Sequence, residues 1–315
     1  MTKSRILQIG PLSGTPGADV QLAKTYDVLA LWQCSDKTAF LKSAHDVEMV
    51  VTSAGVGCSA DVMHALPNLK VICNWGVGYD SIDIDAATQL NIKVTNTPDV
   101  LNDCVADEAI GLMISAARRI AQGDQFVRTN QWENNQSLPL GTRVSGKRLG
   151  IVGLGRIGMV IAQRASGFNM TIQYFNRHIR DDVPFKKANS LVELAQWSDF
   201  LIVATIGGSE TRALINEDVM RALGPKGILI NIARGPVVDE SAMIKLLVSG
   251  ELGSAALDVF EHEPKVPDAL KQLNHVVLMP HQASATHETR QAMFELLLEN
   301  IQAYFAGKPL VTPVN

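Results

Sequence analysis

Cysteine is scarce: Cys34, Cys58, Cys73 and Cys104 are the only four in 315 residues, and no two form a CxxC pair. Their intervals suit neither a zinc site nor a disulfide framework, so buried or half-buried free thiols are expected. The seven histidines are scattered without HxxxH or HExxH spacing, which leaves no basis for metal catalysis. No apolar run reaches membrane-spanning length, and no charged-then-apolar leader with a small-residue cleavage site opens the chain. A cytoplasmic protein with no membrane partner is therefore expected. Positive charge is not in excess either. A formal net charge of −4 gives no general attraction to nucleic acid or anionic lipid, so any anion site must be local, built from a few aimed arginines and backbone amides.

What is present is ordinary globular composition, 46% apolar and 19% charged, in a chain long enough for two cores. Short apolar strands alternate with helical periods from end to end, the pattern of parallel sheets with helices on both faces. One group of strands is predicted at 5–9, 27–32, 48–53, 69–74 and 92–95, with helices such as Ser59–Leu66 and Asp83–Leu90 between them. A second group, denser in Val, Ile and Leu, is predicted at 148–153, 170–175, 199–205, 227–232, 254–259 and 275–279. Between the groups a single long helix is expected over Asn102–Asn130, then a polar, structureless stretch over Gln131–Gly146. The chain closes on a helix from about Thr286 to Phe305. The fold class expected is α/β, with two doubly wound parallel-sheet domains. Residues 1–100 with 287–315 make a discontinuous substrate domain, and 101–286 a dinucleotide-binding domain.

The clearest motif is Gly153-Leu154-Gly155-Arg156-Ile157-Gly158, running from a strand into the helical stretch Met159–Gly167. A first glycine for the turn, a second for close backbone approach to a pyrophosphate and a third for helix–strand packing make a dinucleotide site. The ribose-reading residue should stand about 20 positions on, at the end of the next strand. Asn176 and Arg177 occupy that place, a neutral amide and a cation where an NAD site wants an acid. Arg177, helped by Arg180, fits the 2′-phosphate of NADP, which is expected to be preferred over NAD.

Three polar residues follow strands of the second group: Arg234 in Asn-Ile-Ala-Arg-Gly, Glu263 in Phe-Glu-His-Glu-Pro, and His281 after Met-Pro. Reduction of a 2-oxo acid needs these types. A guanidinium grips the carboxylate at two points, an imidazolium gives a proton to the forming alkoxide, and a carboxylate orients the imidazole. Spacing alone leaves Glu261 and Asp258 as competing orienters.

The stretches Val77–Asp80, Val94–Asp99, Val152–Gly158, Asn231–Gly235, Leu257–Pro264 and Leu278–His281 together resemble the D-isomer-specific 2-hydroxyacid dehydrogenase family over essentially the whole chain. The nearest branch is the glyoxylate/hydroxypyruvate and hydroxyphenylpyruvate reductases, which use NADPH. The resemblance implies a Rossmann fold for the larger domain and a flavodoxin-like fold for the smaller. It makes Arg234 the substrate anchor, Glu263 rather than Glu261 the partner of the histidine, His281 the proton donor, and Asp258 a neighbour of the nicotinamide. It puts the backbone of Ala54, Gly55, Val77 and Gly78 at the substrate carboxylate. Val105, Thr205, Ile206, Ile232 and Ala233 join the glycine loop at the cofactor. Two departures stand out: Thr205-Ile-Gly-Gly208 replaces a proline-containing turn, and Gln282 replaces a small residue after the histidine. The resemblance also implies a homodimer joined through 102–146, with Trp132 a candidate for the partner's pocket. Other readings are a cofactor-sensing corepressor or scaffold of the same fold, and an NAD-using D-lactate or phosphoglycerate-type dehydrogenase. The intact Arg234, Glu263 and His281 set speaks against the first, and Asn176-Arg177 against the second.

Overall fold

The computed structural model describes residues 3–12 and 14–315. In chain order it forms β1 (Arg5–Gln8), α1 (Ala18–Thr25), β2 (Asp27–Ala30), α2 (Lys37–Ser43), β3 (Met49–Ser53), α3 (Ala60–His64), β4 (Val71–Trp75), α4 (Ile84–Gln89) and β5 (Lys93–Thr95). Then come α5 (Asn102–Arg118), α6 (Ile120–Arg128), β6 (Arg148–Val152), α7 (Arg156–Ser166), β7 (Thr171–Phe175), β8 (Lys186–Lys187), α8 (Leu191–Trp197) and β9 (Phe200–Val203). The rest is α9 (Glu217–Leu223), β10 (Ile228–Asn231), α10 (Glu240–Ser249), β11 (Ser254–Leu257), α11 (Asp268–Lys271), β12 (Val276–Leu278) and α12 (His287–Phe305). The chain divides into two compact units: Met1–Leu101 with Ala285–Asn315, and Asn102–Ser284.

The first unit holds a five-stranded sheet of order β2-β1-β3-β4-β5, parallel throughout. The second holds a seven-stranded sheet of order β12-β11-β10-β9-β6-β7-β8, also parallel throughout. The first is flavodoxin-like and the second a Rossmann sheet with one added strand. Strand order reverses between β1 and β3 in one sheet and between β6 and β9 in the other, and such switch points are where open α/β sheets bind ligands.

Burial explains why the second group reads as unbroken apolar runs. Every residue of β9, β10 and β11 is buried, because helices cover both faces of the sheet. Leu201, Val203, Leu229 and Leu257 pack there with Leu194, Met220, Met243 and Leu246 from the helices. In the first unit Leu7, Val50, Ile72 and Val94 share one face and one core. α12 contributes its own apolar stripe, Met293, Phe294, Leu297 and Ile301, and packs on β4. Cys58 and Cys73 lie in this unit, and burial pushes both thiols up to about 12. No helix among the described residues is long and apolar enough to cross a membrane.

Four features depart from expectation. The helix over 102–130 is broken at Arg119, whose φ is +55. The returning chain enforces the break: Thr142 donates to the Ala117 carbonyl at 2.7 Å, and Arg119 Nε donates to the Leu140 carbonyl at 3.2 Å. The stretch after it is not structureless at its start, since hydrogen-bonded turns continue through Gln131–Gln136. α7 begins at Arg156, inside the glycine motif, and β8 is a two-residue edge strand beside β7 with no apolar signal.

The C-terminal tail closes the first unit. Asn300, fully buried on α12, accepts from the amides of Val311 and Thr312, both at 3.1 Å, and donates to Thr312 Oγ1 at 2.9 Å. The tail then lines the edge of β5, with Val314 donating to Val94 O and Asn315 Oδ1 accepting from Val94 N, each at 2.8 Å. Asn300→Ala leaves both tail amides without their acceptor. It is expected to cost about 2–4 kcal/mol, at roughly 1–2 kcal/mol per orphaned bond, read as a lowered denaturation midpoint with an unchanged slope.

Candidate active site

The loops that carry the predicted chemistry in the second unit leave the C-terminal ends of its strands. Gly153 follows β6 with φ +94, and a Cβ there would stand 2.7 Å from the backbone of Thr205. Only glycine lets the loops after β6 and β9 pass at this distance. α8, α9, α10 and α12 are each capped by a side-chain oxygen, from Ser190, Asn216, Asp239 and Thr286. The N-cap of α7 is Gly155, which supplies none, and a Cβ on it would meet nothing within 4 Å. Helix-start amides without a side-chain cap, beside a glycine with room above its Cα, fit a dinucleotide pyrophosphate.

Asn176, just past β7, turns back onto this loop. Its Oδ1 accepts from the Leu154 amide at 2.6 Å, and Arg180 Nη1 donates to the Leu154 carbonyl at 3.1 Å. The Leu154 peptide is thus gripped on both edges. Arg180 is held by Asp182 as well, at 2.9 Å, so its guanidinium braces the loop instead of assisting Arg177. Arg177 is exposed and pairs with Glu210, which lies after β9. Arg156 is exposed, Ile157 half-buried and Gly158 buried. Thr205 is half-buried and Ile206 exposed; the Ile206 carbonyl accepts from Thr211 Oγ1 at 2.8 Å. Val105 on α5 is buried, as are Ile232 and Ala233 after β10.

Arg234, Glu263 and His281 come together. His281 Nδ1 lies 2.7 Å from Glu263 Oε2, and Glu263 Oε1 accepts from the Phe260 amide at 3.1 Å. Arg234, half-buried, stands close enough for its charge to act on Glu263. Glu261 points elsewhere, to Arg212 Nη2 at 2.8 Å. Asp258 is not on the imidazole. Its carboxylate is consumed by the amides of Gln282 at 2.6 Å and Ala283 at 3.0 Å, and its carbonyl accepts from the His281 amide at 2.8 Å. Those bonds hold His281 at φ +54, a backbone that side chains rarely adopt and that persists where surroundings impose it. The remaining ring nitrogen, Nε2, is the one left for chemistry.

The two acids are shifted in opposite directions. Burial alone would raise Glu263, but the hydrogen bond and charge of His281, the Phe260 amide and the Arg234 charge outweigh it and hold the carboxyl below its ordinary range. Burial dominates at Asp258 and raises its carboxyl, with the two amides as a partial offset.

Spacing missed Gly235 and Asn231. A Cβ on Gly235 would stand 1.9 Å from the Phe260 carbonyl carbon, so the Arg234 and Glu263 loops touch backbone to backbone. Asn231 braces the same turn, donating to the Arg234 carbonyl at 3.0 Å and accepting from the Ala233 amide at 3.1 Å. A glycine directly after the arginine was the available signal.

In the first unit, the Ala54 amide is committed to the Trp75 carbonyl at 3.1 Å, while Gly55 is exposed. Asn96 and Asn74 pin the carbonyls of Val77 and Gly78 at 2.8 and 2.9 Å, which sets the turn after β4. Among the described residues no group of His, Cys, Asp and Glu could hold a metal ion.

Residues 110–283 match the family model described as D-isomer specific 2-hydroxyacid dehydrogenase, NAD binding domain. A glyoxylate/hydroxypyruvate reductase of Arabidopsis thaliana is 45% identical over 310 residues, covering 98% of each chain. A hydroxyphenylpyruvate reductase of Plectranthus scutellarioides is 45% identical over 295 residues, covering 93% of this chain and 94% of the other. Among solved structures, an NADPH-dependent glyoxylate/hydroxypyruvate reductase of Sinorhizobium meliloti, in complex with NADP and malonate, superposes with a TM-score of 0.91 at 38% identity. It covers 99% of this chain and 97% of that one.

The Gly235 contact gives a direct test of the assembled site. Gly235→Ala must push apart two backbones that cannot yield, displacing Arg234 from Glu263 and His281. Turnover is expected to fall about 100-fold, the effect of a misplacement near 1 Å, while unfolding stays cooperative. Steady-state kinetics beside thermal melting separate this from simple loss of fold.

Proposed function

This chain belongs to the D-isomer specific 2-hydroxyacid dehydrogenase family, and we propose that it is an NADPH-dependent reductase of a small 2-oxo acid, glyoxylate or hydroxypyruvate or a close analogue, giving the D-2-hydroxy acid. The observation that carries this reading is His281 Nδ1 on Glu263 at 2.7 Å with Arg234 beside them. The relatives support the substrate class and the solved neighbour supports the cofactor.

Bound at the glycine loop, the dinucleotide supplies hydride to the carbonyl carbon. The residues that would hold it are the amides from Gly155 to Gly158 for the pyrophosphate and Arg177 for the 2′-phosphate, with Thr205, Ile206, Ile232 and Ala233 along its length. Arg234 grips the substrate carboxylate and draws electron density toward the carbonyl oxygen. Glu263, ionised, fixes the imidazole through Nδ1, so that Nε2 carries the proton handed to that oxygen. Asp258 acts through the backbone it holds. Gly55, Val77 and Gly78 are assigned to the substrate carboxylate on resemblance.

The NADPH-dependent absorbance decay with glyoxylate and hydroxypyruvate is the test. NADPH is expected to outperform NADH, and His281→Ala to lower turnover by about two to four orders of magnitude. Glu263→Gln is expected to move the limb of the pH profile to lower pH, because the protonated imidazole loses its anion. Turnover surviving His281→Ala, or an unmoved profile in Glu263→Gln, rejects the assignment.

Homodimerisation through 102–146 and a cytoplasmic location belong to the same proposal. Cys34, Cys58 and Cys73 form no disulfide, which suits a reducing compartment. Ile120, Val127, Trp132 and Leu140 are exposed, Leu140 at 95%, an apolar set that solvent does not favour. Sedimentation at micromolar concentration is expected to give a dimer; a fully active monomer overturns this. A Trp132→Ala dimer with an unchanged substrate profile removes Trp132 from the partner's pocket.

A further inference from the structure

The Arg177 guanidinium already has an anionic partner within the chain, Glu210, placed by the loop that follows β9. Both side chains are mostly exposed, at 62% and 74%. The backbone of this loop holds Glu210 where it is: Gly208 at φ +134 turns the chain, and Thr211 Oγ1 ties the carbonyls of Ile206 and Gly208 at 2.8 and 3.2 Å. Lys187 also reaches this turn, its Nζ donating to the Arg177 carbonyl at 3.5 Å, and Arg180 is committed to Leu154 and Asp182. Arg177 is thus the guanidinium at the end of β7 that a phosphate can recruit, and recruiting it displaces Glu210.

We propose that Glu210 is a specificity-determining residue, an intramolecular carboxylate that competes with the cofactor's 2′-phosphate for Arg177 and thereby limits the preference for NADP over NAD. The proposal rests on the NADP reading above. An exposed carboxylate–guanidinium pair is weak, so it is broken readily by a phosphate carrying nearly two charges. The competition concerns the 2′-phosphate alone, since a dinucleotide lacking it leaves the Arg177–Glu210 pair intact. Glu210 therefore trades affinity for one cofactor against indifference to the other.

Calorimetric titration with 2′,5′-ADP and with 5′-AMP reads the two cases without catalysis. Glu210→Gln is expected to tighten 2′,5′-ADP about three- to tenfold, the range for removing one surface charge beside a phosphate, and to leave 5′-AMP unchanged. The gain is expected to vanish in the Arg177→Ala background and to shrink in 0.5 M salt, about where exposed charges are screened. Thermal melting of each variant verifies the fold, and Glu210→Ala repeats the test with a different side chain. Unchanged or weakened 2′,5′-ADP binding in both Glu210 variants overturns the competition while the cofactor reading stands, provided the unmodified protein still prefers 2′,5′-ADP through Arg177. Equal binding of 2′,5′-ADP and 5′-AMP by the unmodified protein, insensitive to Arg177→Ala, overturns both.

Discussion

The geometry of the Arg234, Glu263 and His281 set depends on one buried carboxylate whose oxygens are both taken up by backbone amides. Asp258, 1% exposed at the end of β11, donates its amide to the Asn231 carbonyl on β10 and accepts with both carboxylate oxygens and its carbonyl from amides of the turn after β12. Three neighbouring strands therefore end in one hydrogen-bonded knot. Asn231 extends it to the Arg234 carbonyl, and the Gly235–Phe260 contact extends it to the Glu263 loop. Burying a carboxylate is costly, and amides aimed at both oxygens make the cost bearable. Burial raises the half-buried Glu108 on α5, and the Asp258 charge raises it further.

The glycine loop is held on a similar plan. Asn176 and Arg180, both just past β7, grip the Leu154 peptide from its two sides. The backbone of the glycine loop is thereby stiffened by side chains from the neighbouring strand's end. The amide at Asn176 has a structural duty beside any contact with a ribose. An aspartate could still accept from Leu154, but it would place an anion beside Arg177.

Much of this was legible in the residues, and the exceptions have physical causes. Strands β9 to β11 announce themselves because both faces are buried. β8 cannot, since Lys186–Lys187 is two residues on an edge and carries no periodicity. Arginine is a good helix former, so nothing local marks Arg119; the break is imposed by Leu140 and Thr142, remote in sequence. Glu261 and Glu263 differ by two positions, and only tertiary structure sends one to Arg212 and the other to His281. Resemblance had already chosen Glu263. Glu210 gave no signal, because an ion pair across two strand-end loops has no sequence period.

The opposite shifts of Asp258 and Glu263 also separate their duties along the pH scale. Glu263 is held below its unfolded value, about 4.3 for a free glutamate, so its contribution to stability is present above that value and lost as pH falls through the lower folded one. Asp258 is raised, so its contribution is full below the unfolded value, about 3.9, and lost as pH rises through the folded one. Acid thus weakens the Glu263–His281 pairing while it relieves the buried charge at Asp258. The knot and the pair do not respond together: on acidification Asp258, the raised acid, takes its proton before Glu263, the lowered one, while the turn that carries His281 keeps the Asp258 carbonyl as its anchor, an acceptor that does not titrate.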